Sequence, residues 1–194
     1  MCNRARDGER WGAMSLRGAL LVAAPSLLDP NFQRTVVLVT EHTDEGAMGL
    51  VLNRPTETTV EEAAPELSPL TGPAERVHQG GPVQPRAVVV LAEFEEPEQS
   101  ALIVDSDLGF VPAEVDDTAA LVDGLGRRRV FAGHAGWGPG QLEAEVEEES
   151  WIVEPARRED VFTADPEELW SQVLRRKGHE YALLSTMPMD PSLN

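Results

Sequence analysis

Residues 134–143 read His-Ala-Gly-Trp-Gly-Pro-Gly-Gln-Leu-Glu, and Ser150-Trp151 follows a few residues later. A tryptophan enclosed by glycines and a proline is not typical of the interior of a helix or a strand. The stretch follows an apolar run at residues 129–133 and precedes a segment with helical spacing at residues 141–149. It therefore predicts a tight turn from a strand into a helix, with Trp137 held at that turn.

Outward from this turn, short apolar runs separated by turn residues predict a chain rich in strands. The predicted strands cover residues 18–24, 35–41, 48–53, 87–94, 101–104, 129–133 and 151–153. The predicted helices cover residues 117–125, 141–149, 166–177 and a short segment after Thr59. Asp44-Glu45-Gly46 predicts an antiparallel hairpin between the second and third strands. Because strands and helices do not alternate regularly, the pattern predicts an α+β fold and not a doubly wound sheet.

The charge of the chain excludes some classes of partner. Its 194 residues include 16 basic and 34 acidic side chains, which gives a net charge of −18. This charge disfavours direct binding to nucleic acid, because a duplex would be repelled. The basic run at residues 127–129 is interpreted as the start of a strand whose side chains alternate between the two faces, in preference to a phosphate site.

Cysteine content and apolar runs bear on location and organisation. Cys2 is the only cysteine, so no internal disulfide can form and a reducing cytoplasm is expected. No run approaches the ~18 consecutive apolar residues of a membrane span, so no membrane partner is expected. Residues 1–15 offer little to a core and are predicted to be a disordered tail or an upstream extension, with Met14 as an alternative start. Residues 16–194 are predicted to form one domain.

Three stretches together carry a resemblance to a known family. They are residues 134–143, the segment Gly-Ala-Met-Gly-Leu-Val-Leu-Asn-Arg-Pro at 46–55, and Gly-Gly-Pro-Val at 80–83. The chain resembles the YqgE/AlgH family of bacterial proteins from about Arg17 to its last residues. The resemblance implies a compact single domain with a bulky, mixed and largely antiparallel sheet, half-barrel-like, and peripheral helices. It implies no particular reaction, although one name in the family implies transcriptional regulation.

The glycine turn has the position, but not the spacing, of a dinucleotide-binding loop. Such a loop also lies between a strand and a helix. Here Gln141 stands where the third glycine would fall, and Pro139 removes an amide that could face a phosphate. The sequence therefore predicts no nucleotide cofactor, and it indicates no other cofactor.

Polar residues around the turn form the first candidate site. His134, Gln141 and Glu143 are expected to converge at its mouth, beside Gly136. An imidazole paired with a carboxylate can transfer protons near neutral pH. A structural hydrogen-bond cluster is favoured over chemistry, also because a tyrosine usually stands at the His134 position in the family. For Trp137 a partly exposed position at the mouth of a site is preferred over a buried anchor.

Two further constellations are candidates for binding. Asn53 and Arg54 lie at the end of the third predicted strand, where an arginine fork can bind a carboxylate or a phosphate. A turn cap at Asn53 and a local ion pair at Arg54 explain the same residues equally well. Gly80 and Gly81 either let the backbone approach a ligand closely or form a turn, and the turn is favoured.

The sequence contains no signature that identifies catalytic residues. It has no G-x-S-x-G, H-E-x-x-H, P-loop or C-x-x-C motif. Its histidines lack metal-ligand spacing, so no metal site is predicted. We expect a cytoplasmic binding or regulatory protein that acts through a protein or small-molecule partner and not by direct contact with DNA. The alternative is an enzyme that uses His134, Gln141, Glu143 and Arg54 on a small substrate. The candidate binding residues are Asn53, Arg54, Gly80, Gly81, His134, Gly136, Trp137, Gln141 and Glu143.

Overall fold

The computed structural model describes residues 15–114 and 118–186, without the side chains of residues 118–120, 179 and 180. The predicted N-terminal tail therefore lies, except for Ser15, outside the described residues. The described strands are β1 (Ala19–Ala23), β2 (Val36–Thr43), β3 (Gly46–Val51), β4 (Pro55–Thr59), β5 (Arg76–Gln79), β6 (Val83–Phe94), β7 (Leu102–Asp105), β8 (Leu108–Phe110), β9 (Leu125–Trp137) and β10 (Trp151–Pro155). The described α-helices are α1 (Val60–Ala63), α2 (Ser68–Thr71), α3 (Thr118–Asp123), α4 (Gln141–Glu147), α5 (Arg158–Val161), α6 (Pro166–Lys177) and α7 (His179–Leu184).

One mixed sheet contains all of these strands, which confirms the predicted α+β class. Its main path runs β10-β1-β2-β3-β9-β6-β8-β7, and every pair along it is antiparallel. Strand β5 pairs parallel with β9 and antiparallel with β4. The predicted hairpin is confirmed, since Thr43 and Gly46 are partners at the end of the β2–β3 pair. Within the described residues, no helix is long and apolar enough to cross a membrane.

Strand β9 is longer than its sequence predicts. The predicted strand ends at Gly133, whereas β9 continues to Trp137 because its last residues pair with β3. That pairing uses backbone groups, so the glycines do not prevent it. The turn consequently begins at Gly138, and Gly140 enters α4 with a left-handed φ of 72°.

The strands and helices that were not predicted from the sequence are short or polar. Strand β4 has the sequence Pro-Thr-Glu-Thr-Thr and lies off the main path, and β8 has three residues. Helices α2 and α5 have four residues each, too few to show a periodic apolar pattern. Strand β5 and helix α7 were also missed.

Strand β1 is buried on both faces of the sheet. All five residues of β1 are buried, which explains its continuous apolar sequence. Alternate residues contribute to two cores, because successive side chains of a strand point to opposite faces. Leu20 packs in the core that is covered by α6, and Leu21 packs in the core that contains Trp137 and Trp151. Each fully buried leucine contributes about 1.5–3 kcal/mol of transfer free energy.

Candidate functional site

Trp137 lies in an aromatic cluster formed with Phe32 and Trp151. The Phe32 and Trp137 rings stack with centroids 6.3 Å apart, and Trp151 meets Trp137 edge-on at 6.0 Å. Trp137 is only 7% exposed. The expectation of a partly exposed indole is therefore wrong. The rings of Trp151 on β10 and Phe32 in the loop before β2 enclose Trp137, although its own sequence neighbours are too small to do so.

Glu145 of α4 joins the turn to this aromatic cluster. Its Oε2 accepts hydrogen bonds from the indole Nε1 atoms of Trp137 at 2.9 Å and Trp151 at 2.8 Å. Its Oε1 accepts one from Gln141 Nε2 at 2.8 Å, while Gln141 Oε1 accepts one from the Gly138 amide. Buried indole N–H groups usually need such partners. Gln141 thus closes the turn, and Glu145 connects the turn to both indoles.

The predicted convergence of His134, Gln141 and Glu143 is wrong, because each side chain contacts a different partner. Glu143 Oε1 lies 2.9 Å from His42 Nε2, and the His42 Nδ1 accepts a hydrogen bond from the Leu16 amide at 2.9 Å. His134 Nδ1 lies 3.1 Å from the carbonyl of Ala135. The enzyme alternative therefore lacks the acid–base pair on which it depended.

The His42–Glu143 pair is itself occupied by structural contacts. Because the Leu16 amide donates to Nδ1, the neutral ring carries its proton on Nε2 and donates it to Glu143. The amide of Glu143 itself contributes most to lowering the pKa of this carboxyl, and His42 lowers it further. Both ring nitrogens are engaged, so the pair ties residue 16 and α4 to β2.

Gly80 and Gly81 connect β5 to β6 and lie close to the backbone of β9. The Gly80 amide donates to the Ala132 carbonyl, and the Gly80 carbonyl accepts from Val51. A Cβ atom on Gly80 would lie 2.2 Å from the Gly133 oxygen, and one on Gly81 would lie 2.2 Å from the His134 carbonyl carbon. The described contacts of these glycines are with protein backbone, as the favoured turn interpretation expects.

Asn53 and Arg54 hold the loop that precedes β2. Asn53 Oδ1 accepts from the Val36 amide and its Nδ2 donates to the Arg34 carbonyl, both at 2.9 Å. Arg54 Nη2 donates to the carbonyls of Pro30 at 3.0 Å and Gln33 at 3.2 Å. These side-chain hydrogen bonds hold the loop against the end of β3.

Arg34 adopts an unusual backbone conformation in this loop. Its φ is 54°, in the left-handed region that costs a non-glycine residue about 1 kcal/mol or more. Its guanidinium carbon lies 4.8 Å from the centroid of the Trp170 ring. Trp170 is buried, as its helical position predicts, and donates Nε1 to the Ala23 carbonyl at 2.8 Å. Arg34 is therefore held over a fixed aromatic surface.

These residues border a groove of about 690 Å³, which we call the Arg54 groove. This volume lies within the range of about 300–1,000 Å³ that is common for small-molecule sites. One wall is the loop and strand end just described, and the other is formed by α6 together with Ser185. The lining residues are Gln33, Arg34, Asn53, Arg54, Glu167, Glu168, Trp170, Ser171, Arg175 and Ser185. Of these, only Asn53 and Arg54 were predicted from the sequence as site residues. The other lining residues come from distant segments of the chain and belong to no motif.

The charge of Arg54 is only partly compensated by the described residues. Arg54 is half-buried, and burial lowers its pKa while the more distant Asp29 raises it. The atoms that accept its hydrogen bonds are neutral carbonyl oxygens, and no described carboxylate lies within ion-pair distance. A partly desolvated guanidinium in this state is suited to a carboxylate or phosphate oxygen.

Potential metal ligands do not cluster in the described part of the chain. There, no group of three or more histidine, cysteine or acidic side chains is arranged to hold a metal ion. Asp105, the last residue of β7, and Asp107 both pair with Arg158 of α5.

Comparisons of sequence and of structure both relate this chain to one family of proteins. A family model described as "DUF179: AlgH-like" matches residues 20–182. A UPF0301 protein of Thermobifida fusca is 44% identical over 191 residues, covering 93% of this chain and 96% of the relative. A UPF0301 protein of Streptomyces coelicolor is 44% identical over 186 residues, with the same coverage.

Two solved structures have the same fold. The crystal structure of protein DIP2367 from Corynebacterium diphtheriae superimposes with a TM-score of 0.76 and 32% identity, covering 88% of this chain and 91% of that one. The solution structure of the AlgH protein from Pseudomonas aeruginosa gives a TM-score of 0.65 and 32% identity, covering 91% and 96%. The sequence comparisons and the structure comparisons therefore relate this chain to the same group of proteins.

Proposed function

Because the chain belongs to the AlgH-like family, we propose that it is a binding protein of a regulatory kind whose partner places an anionic group in the Arg54 groove. The partner is a small molecule or a side chain of another protein. The observation that carries this proposal is the half-buried guanidinium of Arg54, whose described hydrogen-bond partners are neutral carbonyls. A bound carboxylate or phosphate would compensate its charge.

The groove is also preorganised for binding. Asn53 fixes both the Arg34 carbonyl and the Val36 amide, and Arg54 fixes two carbonyls of the loop. The left-handed conformation of Arg34 is a further cost of keeping the loop in this shape. A site that is held in place in this way loses less entropy when its ligand binds.

Direct contact with DNA is not part of the proposed mechanism. The net charge of −18 opposes approach to a duplex. The basic run at residues 127–129 is used within the fold: Arg127 pairs with Glu93, and the buried Arg129 donates to the carbonyls of Val161 and Thr163. The basic residues 175–177 are paired as well, with Glu168, Asp160 and Glu154. A regulatory role, including any in transcription, would therefore act through the partner. We also propose that the protein functions in the cytoplasm, because a single cysteine is consistent with a reducing compartment.

Calorimetric titration with acetate and with inorganic phosphate tests the proposal. We expect saturable binding with a Kd in the millimolar range, about −4 kcal/mol, as is reasonable for a single charged group. Arg54→Gln should abolish it, and Arg54→Lys should retain part of it because the positive charge remains. Arg86→Gln, which removes an exposed arginine on β6, is the matched control and should bind like the wild type.

The variants must remain folded for this test to be informative. Arg54 also holds the loop through Pro30 and Gln33, so each variant is first compared with the wild type by near-ultraviolet circular dichroism. Equal binding of both anions by folded wild type and Arg54→Gln would overturn the proposal, and so would the absence of saturable binding to the wild type.

A further inference from the structure

The two walls of the Arg54 groove carry opposite charges. Arg34 and Arg54 lie on the wall made by the loop and the end of β3. The wall made by α6 carries Glu167 and Glu168 in the first turn of the helix and Arg175 in its last turn. The charged side chains that line the groove act on a ligand bound there, because charges are screened only beyond a Debye length of ~8 Å at physiological salt. A ligand in the groove is therefore influenced by the charges on both walls.

Contacts within α6 neutralise one pair of these charges. Glu168 Oε2 lies 3.5 Å from Arg175 Nη2, and Ser171 Oγ bridges the two by donating to Glu168 and accepting from Arg175, each at 3.0 Å. Glu167 has no ion-pair partner in the described part of the chain. Among the residues that the structure describes, Arg54 on one wall and Glu167 on the other thus have no opposite charge at ion-pair distance.

A helix dipole explains part of this arrangement. Acidic residues in the first turn of a helix are favourable wherever the helix lies. The dipole does not explain why this turn lines a groove opposite Arg54. An anion at Arg54 is repelled by Glu167, and a cation at Glu167 is repelled by Arg54, whereas a ligand with both charges is attracted by each wall.

From this arrangement we propose that the Arg54 groove binds a zwitterionic ligand of the amino-acid or short-peptide class. Its carboxylate contacts Arg54 and its ammonium group contacts Glu167. The inference rests on the proposed function and adds the class of ligand to it.

Three matched probes test this inference by calorimetric titration at pH 7. Trialanine carries both charges, N-acetyl-trialanine carries only the carboxylate, and trialanine amide carries only the ammonium group. Trialanine should bind about two- to fivefold more tightly than N-acetyl-trialanine, the range expected for one solvent-exposed ion pair. Trialanine amide should bind most weakly, because it lacks the carboxylate that contacts Arg54.

Two acidic variants assign this preference to a residue. Glu167→Gln should make trialanine and N-acetyl-trialanine bind equally well. Glu159→Gln, which makes the same charge change at an exposed position outside the groove, should leave the preference intact.

The outcomes separate the inference from the function on which it rests. If N-acetyl-trialanine binds as tightly as trialanine and both depend on Arg54, the zwitterionic class is wrong and the anion site stands. If the preference for trialanine survives in Glu167→Gln, the assigned contact is wrong. If neither carboxylate-bearing probe depends on Arg54, the proposed function fails together with the inference.

Discussion

Trp137 and Trp151 donate their indole N–H groups to the same carboxylate oxygen, Oε2 of Glu145, while their rings meet edge to face at 6.0 Å. The two tryptophans come from β9 and β10, and Glu145 comes from the helix between them. This single carboxylate therefore fixes the end of β9, the turn and α4 relative to β10. The glycine-rich turn is a structural joint of the fold.

Trp137→Ala is expected to destabilise the protein by about 3–5 kcal/mol. The substitution removes a buried indole and leaves a cavity against Phe32 and Trp151. Urea denaturation followed by far-ultraviolet circular dichroism measures this loss. Leu28→Ala, at a residue that is 64% exposed, is the control and should change the stability by less than about 0.5 kcal/mol. A loss below about 1.5 kcal/mol for Trp137→Ala would show that the cluster is not an anchor.

Glu145→Gln should lower the free energy of unfolding by about 1–2 kcal/mol, since hydrogen bonds to a charged acceptor are stronger than those to a neutral one. The new amide also presents donors where Trp137, Trp151 and Gln141 need an acceptor. Urea midpoints of this variant and of Glu147→Gln, at an exposed position of the same helix, give the comparison. Equal midpoints would mean that the shared carboxylate contributes nothing.

The predictable part of this fold is the part that depends on local pattern. Strands β1 to β3 and helix α6 have apolar periodicity within a single segment, so their positions follow from sequence alone. The end of β9 does not, because Gly136 enters a strand only through backbone pairing with Met48. Glycine content indicates freedom of conformation and says nothing about a distant partner.

The candidate site was even less accessible from sequence, because its contacts join distant residues. Asn53 and Arg54 were identified because they follow an apolar strand, but their partners in the loop before β2 are not marked by any motif. Glu143 illustrates the same point: its spacing suggested His134, only nine positions away in the chain, whereas its partner His42 is separated by 101 positions. Only tertiary structure distinguishes between such choices.

The buried side chain of His78 is expected to make the stability of the protein depend on pH. The residue lies on β5 with 4% exposure, and within the described residues neither ring nitrogen has a hydrogen-bond partner. Burial, and secondly the nearby Arg129, lower its pKa from 6.5 to about 4. Between these two values the unfolded chain binds a proton that the folded protein does not, so acidification favours unfolding.

The His78→Leu variant isolates this effect. Relative to that variant, the wild type should lose up to about 3 kcal/mol of stability as the pH falls from 6.5 to about 4, since one pKa unit corresponds to ~1.36 kcal/mol. Above pH 6.5 and below about pH 4 the difference should be constant. Denaturation series at several pH values would contradict this account if the two proteins lost stability in parallel across the window.

The protein should not bind duplex DNA with useful affinity at ~150 mM salt. Its charge of −18 repels phosphates, and two of its three clustered arginines are held by Glu93, Val161 and Thr163. Fluorescence anisotropy with a mixed-sequence duplex is the measurement. Salt-sensitive binding tighter than about 1 μM would contradict the expectation, because nonspecific binding is usually at or weaker than this level.

The central claim, that Arg54 is the anion-binding group of this protein, is tested most directly by nuclear magnetic resonance of the arginine side chains. Titration of ¹⁵N-labelled protein with acetate should move the Nε–Hε signal of Arg54 in a saturable manner, together with the side-chain amide of Asn53. The signal of Arg86 should stay in place, and in Arg54→Gln the Asn53 response should disappear. Saturable shifts centred on Arg127 or Arg128, with an unchanged Arg54 signal, would contradict the account.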